Sequence, residues 1–230
     1  LGTTEGEVLI DGHSIIEEPL QAKRLIGYLP EQPPLYTDMT PSEYLHFVAS
    51  AKGIPHADQA LQINQVMVKT GIISTQDRMI KNLSKGYKQR VGIAQALLGN
   101  PEVIILDEPT VGLDPIQIVE IRELIQKLGE THTVILSSHI LSEVQSICDR
   151  VLMINKGKLI AFDAPEELER KLLSPDEILL VCDTDAETAH GILSGMEHIA
   201  GFDAPKGELV PASIHVRTDC ADIHAQIGRA

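Results

Sequence analysis

The sequence predicts an α/β protein built on a mostly parallel sheet with flanking helices, with a helical subdomain at about residues 40–98 and a partial α+β appendage after about residue 174. Three observations carry this expectation. Two uninterrupted aliphatic runs, Val103-Ile104-Ile105-Leu106 and Thr133-Val134-Ile135-Leu136, have the length and composition of strands buried on both faces of a parallel sheet. They lie about 30 residues apart with a helix-sized segment from Pro115 to about Leu128 between them, which makes a βαβ unit. Elsewhere, strand-like and helical patterns alternate along the chain, as they do in α/β proteins.

Taken in order, Glu7 to Asp11 and Arg24 to Leu29 are short aliphatic runs bounded by Gly, Pro and Asp, and read as strands. Thr40-Pro41-Ser42-Glu43 sets a hydroxyl three residues before a Glu, with Pro at the first helical position. That capping box opens a helix running to about Ala51. A second helix, from about Ala57 to Lys69, ends at Gly71. Beyond Ser84 the apolar residues Val91, Ala94 and Leu98 recur at helical spacing until Gly99-Asn100-Pro101 stops the helix. After the second aliphatic run, a helix near Leu141 to Ile147 and strands at Arg150 to Ile154 and Lys158 to Phe162 complete the body. Pro165-Glu166-Glu167-Leu168 begins another helix, and Leu173-Ser174-Pro175 reads as a linker. The appendage then comprises a strand at Glu177 to Cys182, a helix at Ala186 to Met196 and a strand at Ser213 to Arg217.

Composition excludes several classes. The 230 residues are 43% hydrophobic, enough for one domain with a real core and a partial second. Lys and Arg number 19 against 33 Asp and Glu, a formal net charge of −14. Nucleic-acid binding needs clustered Lys and Arg to displace counterions from phosphates, so no nucleic-acid partner is expected. Cys148, Cys182 and Cys220 are too few and too dispersed for a disulfide framework or a Cys-x-x-Cys metal site, which indicates a reducing compartment. No apolar run approaches the roughly 18 to 20 residues of a spanning helix, and no secretory leader pattern opens the chain. A cytoplasmic location is expected. Leu1 in place of Met, followed by the turn-like Gly2-Thr3-Thr4-Glu5-Gly6, gives the further expectation that the N-terminus is cut.

In open parallel sheets, ligands bind beyond the carboxyl ends of the strands. The first buried run leads into Asp107-Glu108 and the second into Ser137-Ser138-His139. Adjacent carboxylates leaving a strand point to opposite sides, so one can hold Mg²⁺ while the other polarises a water. A His from the neighbouring strand end can then bond a terminal phosphate, completing a constellation for phosphoryl transfer. Leu83-Ser84-Lys85-Gly86-Tyr87, ahead of a helix, adds free backbone N–H groups and a positive dipole end, an anion site. Each element alone has an ordinary reading as a helix cap or a structural polar residue. Ser137 and Ser138 beside His139 also suggest a nucleophile with its base, but no G-x-S-x-G elbow accompanies them.

The order of these segments resembles the ATP-binding subunit of ABC transporters. NLSKGYKQRVGIAQALLGNPEVIILDEPTVGLDP looks like that family's signature segment, Walker B strand and D-loop in one stretch. The resemblance implies a P-loop NTPase-like fold, an ATP-binding domain at residues 1–173, and a partial C-terminal accessory domain at 174–230 like that of some exporter-type members. It implies ATP and Mg²⁺ as cofactors. Ser84, Lys85, Gly86 and Tyr87 stand where the family has LSGGQ, the segment that contacts the γ-phosphate of ATP on the opposite subunit; Lys85 and Tyr87 depart from its commonest form. Asp107 matches the Walker B aspartate that holds Mg²⁺, Glu108 the catalytic base, Asp114 the D-loop aspartate and His139 the switch histidine. In Gly27-Tyr28-Leu29-Pro30-Glu31-Gln32 the usual Q-loop Gln is replaced by Glu31. Either Glu31 or Gln32 then couples the γ-phosphate site to the membrane partner, and the Glu31 carboxylate is also able to bind Mg²⁺ or its water. The implied partners are a second nucleotide-binding subunit, identical or different, and membrane permease subunits, with the chain peripheral on the cytoplasmic face and transport directed to export.

No G-x-x-x-x-G-K-S/T run occurs in the chain. In the family that loop cradles the phosphates and precedes a segment like Gly2 to Asp11, so the expectation is a parent ATPase of which these residues alone are inactive. Two other classes share the motifs: a soluble ABC ATPase of translation or repair, and a catalytically incompetent docking module that offers Ser84 and Gly86 to a partner's nucleotide.

Overall fold

A computed structural model describes residues 5–172, 178–182, 188, 191, 194, 199–203 and 212–218. The chain divides into two compact units, Leu1–Ile147 and Cys148–Ala230.

The first unit opens with a hairpin of β1 (Leu9–Ile10) and β2 (His13–Ser14). The predicted strand over Glu7–Asp11 is therefore shorter than expected. Asp11 and Gly12 have φ of +46° and +80°, the backbone of a two-residue type I′ turn, which ends the first strand early. A short helix, α1 (Pro19–Arg24), follows and leads into β3 (Ile26–Leu29). Thr40 and Glu43 form the predicted capping box, each side chain bonded to the other's backbone N–H, and α2 runs over Pro41–Ala51. Helix α3 (His56–Thr70) stops at Gly71, whose left-handed φ of +70° closes the last turn. Helix α4 spans Lys85–Leu97.

Helices α2, α3 and α4 pack on one another through Leu45, Ala49, Ile63, Met67, Val91 and Ala94, all buried. Lys52 ties the group together. Its ammonium donates to the carbonyls of Gln95, Ala96 and Leu98 at 2.9, 3.3 and 2.7 Å, capping the carboxyl end of α4. Burial pushes the Lys52 pKa down to about 8.

Strands β4 (Val103–Leu106) and β5 (Thr133–Leu136), joined by α5 (Pro115–Gly129), complete a parallel sheet of order β3-β4-β5. The predicted βαβ unit is present, with Val103 paired to Thr133 and Leu106 to Leu136. β4 is the central strand, with Ile104 and Leu106 fully buried. The second aliphatic run departs from expectation: β5 lies at the edge of the described sheet, and Ile135 is 53% exposed instead of covered on both faces. Gly27 on β3 faces α4 so closely that a Cβ would overlap the Ala96 carbonyl, so the strand and the end of α4 meet backbone to backbone. Helix α6 (Leu141–Ile147) ends the unit.

The second unit begins with an antiparallel hairpin of β6 (Val151–Asn155) and β7 (Lys158–Asp163), closed by Lys156 and Gly157 at φ of +49° and +74°. Helix α7 (Pro165–Leu172) follows. A second, antiparallel sheet of order β8-β10-β9 is formed by Ile178–Cys182, Ala212–Thr218 and Ile199–Asp203. Both strands expected in the appendage are present, and β9 was not foreseen. The linker at Leu173-Ser174-Pro175 lies outside the described residues, as does most of the helix expected over Ala186–Met196. Among the described residues no helix is long and apolar enough to cross a membrane.

Candidate functional site

The parallel register decides which side chains meet beyond the sheet. Because Leu106 pairs with Leu136, the next residues on each strand, Asp107 and Ser137, leave the sheet side by side. The Ser137 amide donates to the Leu106 carbonyl at 3.0 Å, and the Asp107 amide to the Leu29 carbonyl at 2.9 Å. The Ser137 hydroxyl then serves both carboxylate residues. It donates to Asp107 Oδ1 at 2.6 Å and accepts the Glu108 N–H at 3.0 Å, using its donor and acceptor capacity together.

Glu108 has a φ of +44°, a left-handed backbone uncommon outside Gly. The chain turns there, and the Glu108 carboxylate meets His139 Nδ1, 3.0 Å from each oxygen. The His139 pKa is raised above its ordinary value, first by this hydrogen bond, then by the charge of Glu108, with smaller contributions from Glu143 and Glu31. Glu31, just past the end of β3, is thus within electrostatic reach of the pair. Gln32 beside it is exposed. Neither serine bonds to His139: Ser137 is committed to Asp107, and the Ser138 hydroxyl accepts the Ile140 N–H at 3.1 Å. A serine nucleophile activated by His139 is not what the geometry presents.

Among the described residues no group of three or more His, Cys, Asp or Glu is arranged around one metal position. At the strand end the Glu108 carboxylate is engaged by His139, while Asp107, bonded through one oxygen to Ser137, is the carboxylate able to face an ion. One or two carboxylates suffice for Mg²⁺ when substrate phosphates and waters complete its shell, so the donor set fits that ion and not a metal held by protein alone.

The remaining predicted residues gather in a second cluster. Ser84 is the N-cap of α4, its Oγ accepting the Tyr87 N–H at 3.3 Å, and Ser84, Lys85 and Tyr87 are exposed. Asp114 caps α5 in the same way, accepting the Gln117 N–H at 2.9 Å. The two helix starts lie together, and the end of the Gln117 side chain rests on Gly86, where a Cβ would come within 2.6 Å of Gln117 Cδ and displace it. A cavity of about 440 Å³ opens between them, lined by Gly86, Tyr87, Arg90, Asp114, Gln117 and Glu120. Arg90 and Glu120 pair across it at 2.7 Å.

Sequence reasoning did not single out Ser137 as a partner of Asp107, nor Thr110 and Glu143, which bond to each other beneath the first cluster at 2.6 Å. The signal for Ser137 was available, since extending the parallel register by one residue sets it opposite Asp107.

Comparison with known proteins supplies the context for this geometry. The family model described as ABC transporter matches residues 1–111. The chain is 41% identical over 175 residues to the bacitracin transport ATP-binding protein BcrA of Bacillus licheniformis, covering 74% of this chain and 56% of that protein. It is 35% identical over 178 residues to the ABC transporter ATP-binding protein NatA of Bacillus subtilis, covering 76% and 72%. The chain spans about half the length of BcrA and of several other relatives. Among solved structures, cbiO1 from Clostridium perfringens, part of the ABC transporter complex cbiONQ, superposes with a TM-score of 0.67 at 28% identity over 76% of this chain and 75% of that one.

Proposed function

The chain belongs to the ABC transporter ATP-binding proteins, and on that premise we propose that it carries the ATP-hydrolysing machinery of a transporter whose membrane permease is a separate subunit. The observation supporting this reading is the cluster of Asp107, Glu108, Ser137 and His139 at the carboxyl ends of two paired parallel strands. Relatives named for bacitracin transport and linearmycin resistance support a transport role, and export is the direction proposed.

In this reading Asp107, held by Ser137, binds Mg²⁺, with Glu31 a further carboxylate within reach of the same region. The bound ion supplies charge to offset that of the β- and γ-phosphates. Glu108 takes the proton of the attacking water as general base. His139 keeps Nδ1 on Glu108 and leaves Nε2 for a γ-phosphate oxygen, and its raised pKa favours the charged ring that a phosphate attracts. Glu31 or Gln32 relays the state of this site to the permease.

The second cluster serves a different nucleotide. The start of α4, where Ser84 and Lys85 are exposed and Gly86 is buried behind them, offers its backbone N–H groups and the hydroxyl of Ser84 to the γ-phosphate of ATP held by a second nucleotide-binding subunit, identical or different. Asp114 lies on the same face and reports on that contact. The chain is accordingly peripheral, on the cytoplasmic side of the membrane. The division into an ATP-binding domain at 1–173, with its helical part at about 40–98, and an accessory domain at 174–230 belongs to the same proposal.

Since no G-x-x-x-x-G-K-S/T run is among these 230 residues, the chain alone is proposed to be inactive. Titration of Mg-ATP against the chain, beside a form extended upstream through such a loop, tests this. Binding by the extended form alone is expected. Tight binding by the 230 residues themselves would require a phosphate site elsewhere and overturn the assignment of roles.

A further inference from the structure

Beneath the first cluster lies a carboxylate that the reaction does not use. Glu143, on α6, is 4% exposed, and a buried carboxylate destabilises a fold unless donors surround it. Its neighbours come from three separate segments. Thr110 Oγ1 donates to Glu143 Oε2 at 2.6 Å, the Ser138 hydroxyl lies 3.5 Å from the same oxygen, and Arg122 Nη2 of α5 stands 3.4 Å from Oε1. Thr110 is itself 5% exposed, and the Arg122 Nε is buried without an acceptor.

The position of these donors along the chain is informative. Thr110 follows Glu108 by two residues, and Ser138 immediately precedes His139. Glu143 therefore ties the segment leaving β4 to the segment leaving β5, next to the residues whose side chains meet at 3.0 Å. The Glu108–His139 contact joins an exposed ring, 68% accessible, to a residue in a strained backbone conformation. Without a fixed support beneath, only the Ser137 bonds at the strand ends and that one contact would order the two loops beyond them, at the entropic cost of two side chains and their backbone. A misplacement of about 1 Å at reacting groups lowers rate steeply even when binding is intact.

We propose that Glu143 is a positioning residue for Glu108 and His139: through Thr110 and Ser138 it sets the spacing of the two loops, with Arg122 as its counter-charge. Its effect on turnover rests on the ATPase reading above; its effect on the loops does not. The structure thus gives the buried carboxylate of α6 a part in shaping the site although it touches no substrate.

Two measurements test this. Amide hydrogen exchange on the 230-residue chain reads the loops directly. In Glu143→Gln and in Thr110→Val, residues 108–113 and 137–140 are expected to exchange about tenfold faster, roughly the loss of one charge-assisted hydrogen bond, while α2 to α4 exchange as before. Unchanged exchange of both segments in both variants overturns the proposal. Turnover of Mg-ATP by the full-length protein reads the consequence: kcat falls about tenfold with KM for ATP held within about twofold, the pattern of lost positioning. A role confined to stability would lower the melting temperature and leave kcat per folded molecule unchanged, which also overturns it. Should the unsubstituted full-length protein hydrolyse no ATP, the ATPase reading falls, and exchange still decides whether Glu143 holds the loops.

Discussion

Replacing Ser137 by Ala removes one hydroxyl and unfastens two residues. The bond to Asp107 Oδ1, at 2.6 Å, joins a neutral donor to a carboxylate, and such bonds contribute about 1.5–3 kcal/mol. Ser137 is exposed, so water replaces part of that and the lower end, about 1.5 kcal/mol, applies. The bond from the Glu108 N–H at 3.0 Å adds about 0.5 kcal/mol on the same grounds. It also holds a backbone at φ of +44°, a conformation that costs a non-Gly residue about 1–2 kcal/mol and relaxes when released. The two bonds alone account for about 2 kcal/mol of bias toward the observed arrangement, a factor of about 30 in the population with Asp107 and Glu108 in place. In Mg-ATP turnover by the full-length protein, Ser137→Ala is therefore expected to lower kcat about ten- to thirtyfold, while Ser137→Thr, which keeps the hydroxyl, stays within about threefold. Urea unfolding of the 230-residue chain should register a loss of about 1–2 kcal/mol for the Ala variant. A Ser137→Ala protein that turns over within twofold of the unsubstituted one, with an unmoved unfolding midpoint, would refute the reasoning.

The fold and the ion pair offer further tests. Gly27→Ala puts a methyl group onto the Ala96 carbonyl and should destabilise by about 1–3 kcal/mol, whereas Gly129→Ala, with open space around it, should be neutral or stabilise by up to about 1 kcal/mol; equal unfolding midpoints for the two would contradict the packing. Lys52→Met keeps the stem but leaves the end of α4 without its ammonium, and a loss of about 1–3 kcal/mol is expected in urea at pH 7, with no change in midpoint as the adverse result. By NMR, His139 should titrate above its ordinary 6.5 and fall back toward it in Glu108→Gln. The sign follows from linkage: the folded pKa is raised, so the stabilisation is fully present below 6.5 and is lost as pH rises through the raised value. A His139 midpoint at 6.5 in the unsubstituted chain would mean that the contact with Glu108 does not persist in solution.

What could be read from the sequence is mostly what neighbouring residues decide. Thr40 and Glu43 fix the start of α2, and Gly71 fixes the end of α3, because caps are local chemistry. The two aliphatic runs are strands with the expected bounds, and a shared register brings Asp107 and Glu108 toward His139. Other features depend on segments far apart in the chain. The aliphatic pattern of Thr133–Leu136 states hydrophobicity but not sheet order, so the exposure of Ile135 at an edge was not legible. Asp11-Gly12 is a local hairpin signal, and its turn ends the first strand at Ile10. Glu143 looked like any polar residue on a short helix; only the packing of α6 against Thr110, Ser138 and Arg122 makes it a buried centre.

The assignment of Glu108 as the base is tested most directly by Glu108→Gln in the full-length protein, measuring Mg-ATP turnover and retained nucleotide together. The substitution keeps size and shape while removing the proton acceptor, so turnover should fall by about a hundredfold to ten-thousandfold with nucleotide still bound. Turnover within a few-fold of the unsubstituted protein would contradict the account, and would leave the carboxylate beside His139 with a structural part only.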